Sequence, residues 1–346
     1  MLEPIITRER DTLPSDTFFV DAFQPQLREL FFIENHQFIG RDKGEAYAST
    51  EFANFEKKMH DSFVYVYFPW NKYTIKTVGK KDYLTLKTNR NQDLITESEQ
   101  DILSKFSIAV LGLSVGSNIA FALTQAGISN KIVLADYDDL DTTNLNRILA
   151  GVHQVGMNKC EVAGSRIYEG NPFAEIKMLQ DGITVNNLEE LLKKGEINCI
   201  VEEIDDMHMK ISTRKLAMLY KVPVVMITDN GDGVVLHVER YDLGLSQIFG
   251  HDIAYWSWED EHEFTKEEAG IIIIGDIVGG PEKVDPKMMK SVERVIKKEL
   301  VSWSQLGSSA LLGGVVATAA IKGIALGEAT DLFSRTYVHP LNVKYG

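Results

Sequence analysis

The apolar positions of this chain change their period near Phe106. Before it they form one helical face at residues 26–32 and a strand-like run, Phe63-Val64-Tyr65-Val66-Tyr67-Phe68, which stops at Pro69-Trp70. A second strand-like piece follows at 73–78, so residues 1–90 read as a small α+β extension with its own partial core. After Phe106, strand-like segments at 108–111, 132–135, 175–179, 199–201 and 222–227 alternate with helical patterns at 117–126, 159–168, 188–194 and 209–220. Such alternation marks a parallel sheet with crossover helices. Residues 91–346 are therefore expected to form an α/β domain on a doubly wound, mostly parallel Rossmann-like sheet. Beyond Thr228 the pattern loosens into a strand at 234–239, a loop or short helix at 256–268, an exposed helix at 285–300 and an apolar helix at 308–326.

That last helix is almost wholly apolar, but Lys322 interrupts it and small residues fill it. A membrane span needs ~20 apolar residues, so the segment reads as a buried or dimer-interface helix. The chain has 346 residues with 44% hydrophobic content, enough for an ordinary globular core. Its formal charge of -14 repels polyanions, which argues against nucleic acid or an anionic membrane as partner. The N-terminus, Met1-Leu2-Glu3-Pro4, lacks both a basic start and an apolar core segment, so no secretory signal is read and the expected compartment is the cytoplasm. Cys160 and Cys199 form no Cys-x-x-Cys pair, and both read as reduced and buried.

The first candidate for chemistry is the turn Gly112-Leu113-Ser114-Val115-Gly116, which follows an apolar strand and opens a helix. Backbone N–H groups in that setting receive phosphate. Asp136, at the end of the next strand, stands where a carboxylate can accept from ribose hydroxyls. Ser114 occupies the place of the usual middle glycine, so the turn alone also fits a structural role. Turn and Asp136 together also permit a nicotinamide-dependent oxidoreductase.

Further on come Asp136-Tyr137-Asp138, Asn144-Leu145-Asn146-Arg147, Gly156 with Lys159, Asn171-Pro172 and Ile204-Asp205-Asp206. In this order the set resembles the ThiF/MoeB family, relatives of ubiquitin-activating enzymes, over about residues 88–242. The segment from Gln305-Leu306-Gly307 to Gly327 is similar to that family's closing glycine-rich helix. The resemblance implies an adenylyltransferase that uses ATP and Mg²⁺ to activate a carboxylate as an acyl-adenylate, releasing pyrophosphate. The acceptor it implies is the C-terminus of a ubiquitin-like protein or a small molecule. By the same resemblance Gly112, Ser114 and Gly116 would floor the phosphate site, Asp136 would hold the ribose, and Asn144 and Arg147 would contact phosphates. Lys159 would neutralise phosphate charge, Asp205 would bind Mg²⁺, and Arg90 would reach the neighbouring subunit's ATP site in a homodimer.

Adenylation needs in-line placement and stabilised charge rather than a protein nucleophile, which suits this residue set. The chain departs from the family in lacking the two zinc-binding Cys-x-x-Cys pairs and any cysteine after Cys199, so thioester transfer is not expected. Ile148, Glu202 and Asp206 stand where relatives often carry Gln, Asp and Asn, which leaves the acceptor open. His208 and His237 read as structural or surface residues, and Glu259-Asp260-Glu261-His262-Glu263 as a solvated acidic loop. A second reading is a catalytically silent nucleotide-binding protein whose first 90 residues dock another subunit.

Overall fold

A computed structural model describes residues 3–256 and 262–341. The chain divides into two compact units, Met1–Glu97 with Tyr168–Phe173, and Ser98–Ile167 with Ala174–Gly346.

The first unit is a four-stranded sheet with helices. Its strands β1 (Ile5–Thr7), β2 (Phe18–Asp21), β3 (Phe63–Phe68) and β4 (Tyr73–Val78) lie in the order β1-β3-β4-β2. Its helices are α1 (Phe23–Glu34), α2 (Lys43–Tyr47), α3 (Thr50–Met59) and α4 (Lys80–Thr88). The helical face at 26–32 is the middle of α1, and both aromatic strands have the expected bounds. Phe31 of α1 is fully buried, with the Phe38, Phe52 and Phe55 rings at 5.1, 5.0 and 5.6 Å. Large rings suit a unit this small, since each buried Phe is worth roughly 1.5–3 kcal/mol. Residues 168–173 join this unit through hydrogen bonds, donated by Trp70 to Glu169 (2.9 Å) and by the Tyr83 hydroxyl to the Gly170 carbonyl (2.9 Å).

The second unit opens with α5 (Glu97–Lys105) and continues as β5 (Ser107–Leu111), α6 (Val115–Gln125), β6 (Lys131–Ala135), α7 (Lys159–Gly170) and β7 (Glu175–Leu179). Then come α8 (Val185–Lys193), β8 (Cys199–Glu202), α9 (Met207–Tyr220), β9 (Val224–Asn230) and β10 (Gly233–Glu239). A short ribbon, β11 (Gln247–Ile248) with β12 (His251–Asp252), precedes α10 (Lys266–Ile272), α11 (Pro286–Ile296), α12 (Gly307–Ala325) and β13 (Phe333–Val338). The seven-stranded sheet runs β13-β10-β9-β8-β5-β6-β7. β9, β8, β5, β6 and β7 pair in parallel, while β10 and β13 join antiparallel at one edge. This is the doubly wound, mostly parallel sheet expected, with β13 added. Residues 257–261, which include most of the acidic run, lie outside the described residues.

By length and composition α12 could cross a membrane, yet it packs on α6, β9 and β10. Its glycines permit that approach: a Cβ on Gly313 would meet Ile227 Cγ2 at 2.7 Å, and one on Gly314 the Asn118 carbonyl at 3.0 Å. Both cysteines are buried and free as expected, and burial pushes the Cys160 thiol up to about 12, so it stays a thiol at neutral pH.

Under the sheet lies a charged network that the sequence did not announce. Glu202 at the end of β8 takes Arg214 at 2.7 Å and Lys210 at 3.1 Å, both from α9. Arg214 also meets Glu239 of β10 at 2.7 Å, and the Tyr241 hydroxyl donates to Glu239 at 3.0 Å. Beside it His237 is fully buried and its Nε2–H donates to the Ile277 carbonyl at 2.7 Å. Burial, with Arg335 and Arg214 nearby, drives the His237 pKa down to about 3 from 6.5.

The unfolded chain therefore binds one more proton than the folded one between those two values. The stability this histidine contributes is complete above pH 6.5 and declines as pH falls toward 3. His237→Gln keeps a donor for Ile277 and removes the titration. Between pH 6.5 and 5 it is expected to lose about 1.6 kcal/mol less stability than the parent protein in urea titrations. Equal losses in the two proteins would contradict the assignment.

Candidate functional site

The C-terminal ends of β5, β6, β8 and β9 open on a cavity of about 530 Å³ inside the second unit, where open α/β sheets place their ligands. The glycine turn closes one side of it. Gly112 has φ +89°, and a Cβ there would run into the backbone carbonyl of Glu203 after β8. Only glycine fits both conditions. Gly112→Ala is expected to cost at least about 2 kcal/mol in chemical denaturation, and a change under about 0.5 kcal/mol would refute this account of the turn. Gly116 is small for a different reason. A Cβ on it would meet Val110 Cγ1 at 2.9 Å and Glu203 Cγ at 3.5 Å, so the residue seats the start of α6 on the strands.

Ser114 stands at the N-cap of α6, but its hydroxyl caps nothing and instead accepts from Arg147 Nε at 3.0 Å. The first N–H groups of α6 are thus left without a side-chain cap, at the positive end of an 11-residue helix. Asp136 sits behind the turn. Its carboxylate accepts from Leu113 N at 2.7 Å and Asp138 N at 2.9 Å, with Lys159 Nζ 3.8 Å away. Burial raises its pKa despite those partners. Gly112, Gly116 and Asp136 are not among the residues that line the cavity; Asp138, Asp139 and Asp141 are.

Ser114, Asn144, Arg147, Lys159 and Asp205 all reach the cavity wall. Lys159 opens α7 and donates to Asp138 at 2.6 Å. Asn144 ends a 3₁₀ turn in a capping box, its Oδ1 accepting from Asp141 N at 3.0 Å. Arg147 is braced at 3.2 Å by the Thr143 carbonyl and at 3.0 Å by Asn146 Oδ1. Its loop is clamped from two sides. Asn118 of α6 donates to the Arg147 carbonyl at 2.8 Å, and Asn146 donates to the Gln305 carbonyl at 2.9 Å. A Cβ on Gly307 would strike the Asn146 carbonyl, so the start of α12 needs glycine to close on this loop. Of the two adjacent aspartates, Asp206 caps α9 through Met209 N (2.7 Å) and Asp205 lies exposed on the cavity wall. Arg90 belongs to the first unit, on the 3₁₀ turn Asn89–Asn91, and is not among the lining residues.

Several lining residues escaped the sequence reading. Glu203 accepts from Ile227 N at 2.7 Å, and burial raises its pKa well above the usual carboxylate range. Asp229, on β9, also has its pKa raised by burial, with Gln305 3.4 Å from its Oδ2 and Arg147 opposing the shift. Asp229 sits at the C-terminal end of β9, which runs on to Asn230, past residue 227 where the apolar run that marks the strand in sequence stops. The wall from α10 to Trp303 is apolar, with Ile273, Ile274, Ile277, Met288 and Val292 on it.

In charge the lining is lopsided: Asp138, Asp139, Asp141, Asp205 and Asp229 face Arg147, Lys159 and Lys210. Lys159 is held by Asp138, and Lys210 by Glu202. Among the described residues no three His, Cys, Asp or Glu side chains are arranged to hold a metal unaided.

The ThiF family model matches residues 86–239. An uncharacterized protein of Mycobacterium tuberculosis is 29% identical over 269 residues, 77% of this chain and 36% of its own length. The tRNA threonylcarbamoyladenosine dehydratase of Bacillus subtilis is 32% identical over 139 residues, 40% of this chain and 54% of the enzyme. The matched region thus spans between about a third and about half of these relatives. The Escherichia coli tRNA N6-threonylcarbamoyladenosine dehydratase, solved with AMP, superposes with a TM-score of 0.52 at 19% identity over 73% of this chain and 98% of that one, and so shares the fold. It is thus residues 86–239, which hold the glycine turn and Asn144, Arg147, Lys159 and Asp205, that match the ThiF family.

Proposed function

We propose that this chain binds ATP in the strand-end cavity and transfers its adenylyl group to a carboxylate. The observation that carries the proposal is the convergence of Ser114, Asn144, Arg147, Lys159 and Asp205 on one cavity beside the uncapped start of α6. A carboxylate oxygen of the acceptor attacks the α-phosphorus and forms the new O–P bond. The bond from that phosphorus to the bridging oxygen breaks, and pyrophosphate leaves with the electron pair. No proton moves and no protein nucleophile is required, which agrees with two buried cysteines whose thiols are held neutral.

Arg147 supplies the donors for the charge that spreads over the phosphate oxygens. Its present bonds use Nε and Nη1, which leaves Nη2 to a ligand. Lys159 adds a mobile point charge once it turns from Asp138. Asp136 acts at one remove, holding Leu113 N and the turn in place. The surplus of carboxylates would repel a bare triphosphate, so the site suits a nucleotide that arrives with a divalent cation. Mg²⁺ takes one or two protein carboxylates and completes its shell with phosphates and water, and exposed Asp205 fits that part. Bound there, the ion would offset phosphate charge. A homodimer in which Arg90 serves the second copy would add a further cation.

Thermal unfolding with Mg²⁺-ATP and with NAD⁺ tests the nucleotide class. At a hundred times its Kd, ATP should add about 2.7 kcal/mol of stability. A shift with NAD⁺ and none with ATP would favour a nicotinamide enzyme and overturn the proposal.

A further inference from the structure

The cavity has two kinds of wall. Its polar lining comes from the strand ends and the loops after them; its apolar lining comes chiefly from the π-helical turn Ile273–Ile277 that continues α10, and from α11. α11 is amphipathic, and such a helix ordinarily buries its apolar stripe in a core. Here Ser291 is its one buried residue among those described, while Met288, Met289 and Val292 remain partly exposed because they face the cavity. Ile273, Ile274 and Ile277 of the π turn line the same wall, and π turns recur where a helix is shaped around a function.

Resting on the adenylation reading, we propose that the acceptor is a small carboxylic acid with an apolar body, of the medium-chain or arylalkyl type, and not the tail of a protein. Its hydrocarbon would lie along Ile273, Ile274, Ile277, Met288, Met289 and Val292, with its carboxylate at the polar end beside Arg147. A peptide tail brings an amide N–H and C=O at every residue, and each costs free energy when buried without a partner. The side chains of that wall offer none, and a Gly-Gly terminus has nothing to fill the apolar space. The two methionines suit chains of differing shape. The cavity's size falls within the roughly 300–1,000 Å³ of small-molecule sites.

The test measures ATP–pyrophosphate exchange with hexanoate, octanoate, decanoate, phenylpropionate and a polar peptide ending in Gly-Gly, alongside calorimetric binding of each. Expected are exchange with the apolar acids and none with the peptide, and affinity rising about fourfold per added methylene until the wall is filled. Val292→Trp should move the optimum to a shorter acid, a gain that a misfolded protein cannot show. Met288→Glu should abolish acid binding while ATP binding survives. Exchange with the peptide, together with no binding or exchange of the acids, would overturn the acceptor class and leave adenylation standing. Acids that bind with the expected length dependence while nothing supports exchange would instead bring down adenylation, and the acceptor role with it.

Discussion

Arg147→Ala is expected to lower ATP–pyrophosphate exchange by about 10²–10³-fold, the usual cost of removing one preorganised donor from a developing charge. The side chain is half-buried between Ser114 and Asn146, and its loop is pinned to α6 and to the start of α12. That scaffold does not depend on the guanidinium, so ATP binding should weaken far less than turnover. Arg147→Lys should recover little, because a point charge cannot replace a planar fork of donors that bridges Ser114, the Thr143 carbonyl and a phosphate. Exchange within about threefold of the parent protein for Arg147→Ala would show that charge stabilisation comes from elsewhere.

The second large effect is on stability. Arg214 joins Glu202 and Glu239, all three side chains are wholly shielded from solvent, and its guanidinium lies 4.1 Å from the centre of the Phe249 ring. The two carboxylates raise its pKa, and Lys210 and Arg214 hold Glu202 below its ordinary value against burial. Arg214→Met preserves most of the volume but leaves Glu239 without its cation and Glu202 with Lys210 alone. Removing one member of a buried charged set costs about 3–5 kcal/mol, which for a domain of this size lowers Tm by about 10 °C. A loss under about 1 kcal/mol in urea titration would mean that the network carries little of the fold's stability.

The sheet was legible because four of its five parallel strands, β5, β6, β8 and β9, carry continuous buried apolar runs between helical patterns, while β7 at the edge alternates charged and apolar residues. β13 was not, because an edge strand with one exposed side alternates weakly, as Phe333, Arg335 and Tyr337 do. Nor were α10 and α11 readable as part of a site, since an amphipathic pattern reports an apolar face without saying whether core or cavity meets it. Ser114, Asn144, Arg147, Lys159 and Asp205 came together because ordered spacing survives in sequence. What spacing cannot show is which carboxylate braces the turn and which faces a ligand. Asp136 and Asp138 are two residues apart and differ in that respect. Glu202 stood out only as a departure from the family pattern, and its place in a buried network depends on Glu239, which β10 brings alongside.

Adenylation bonds a carboxylate oxygen of the acceptor to the α-phosphorus of ATP. It is tested most directly by incubating the protein and Mg²⁺-ATP with an acid that supports exchange, labelled with ¹⁸O in its carboxyl group, then cleaving the product with hydroxylamine and analysing the phosphorus compounds by mass spectrometry. Adenylation predicts AMP that carries one ¹⁸O together with unlabelled pyrophosphate. Labelled phosphate with ADP, or AMP without label, would contradict it.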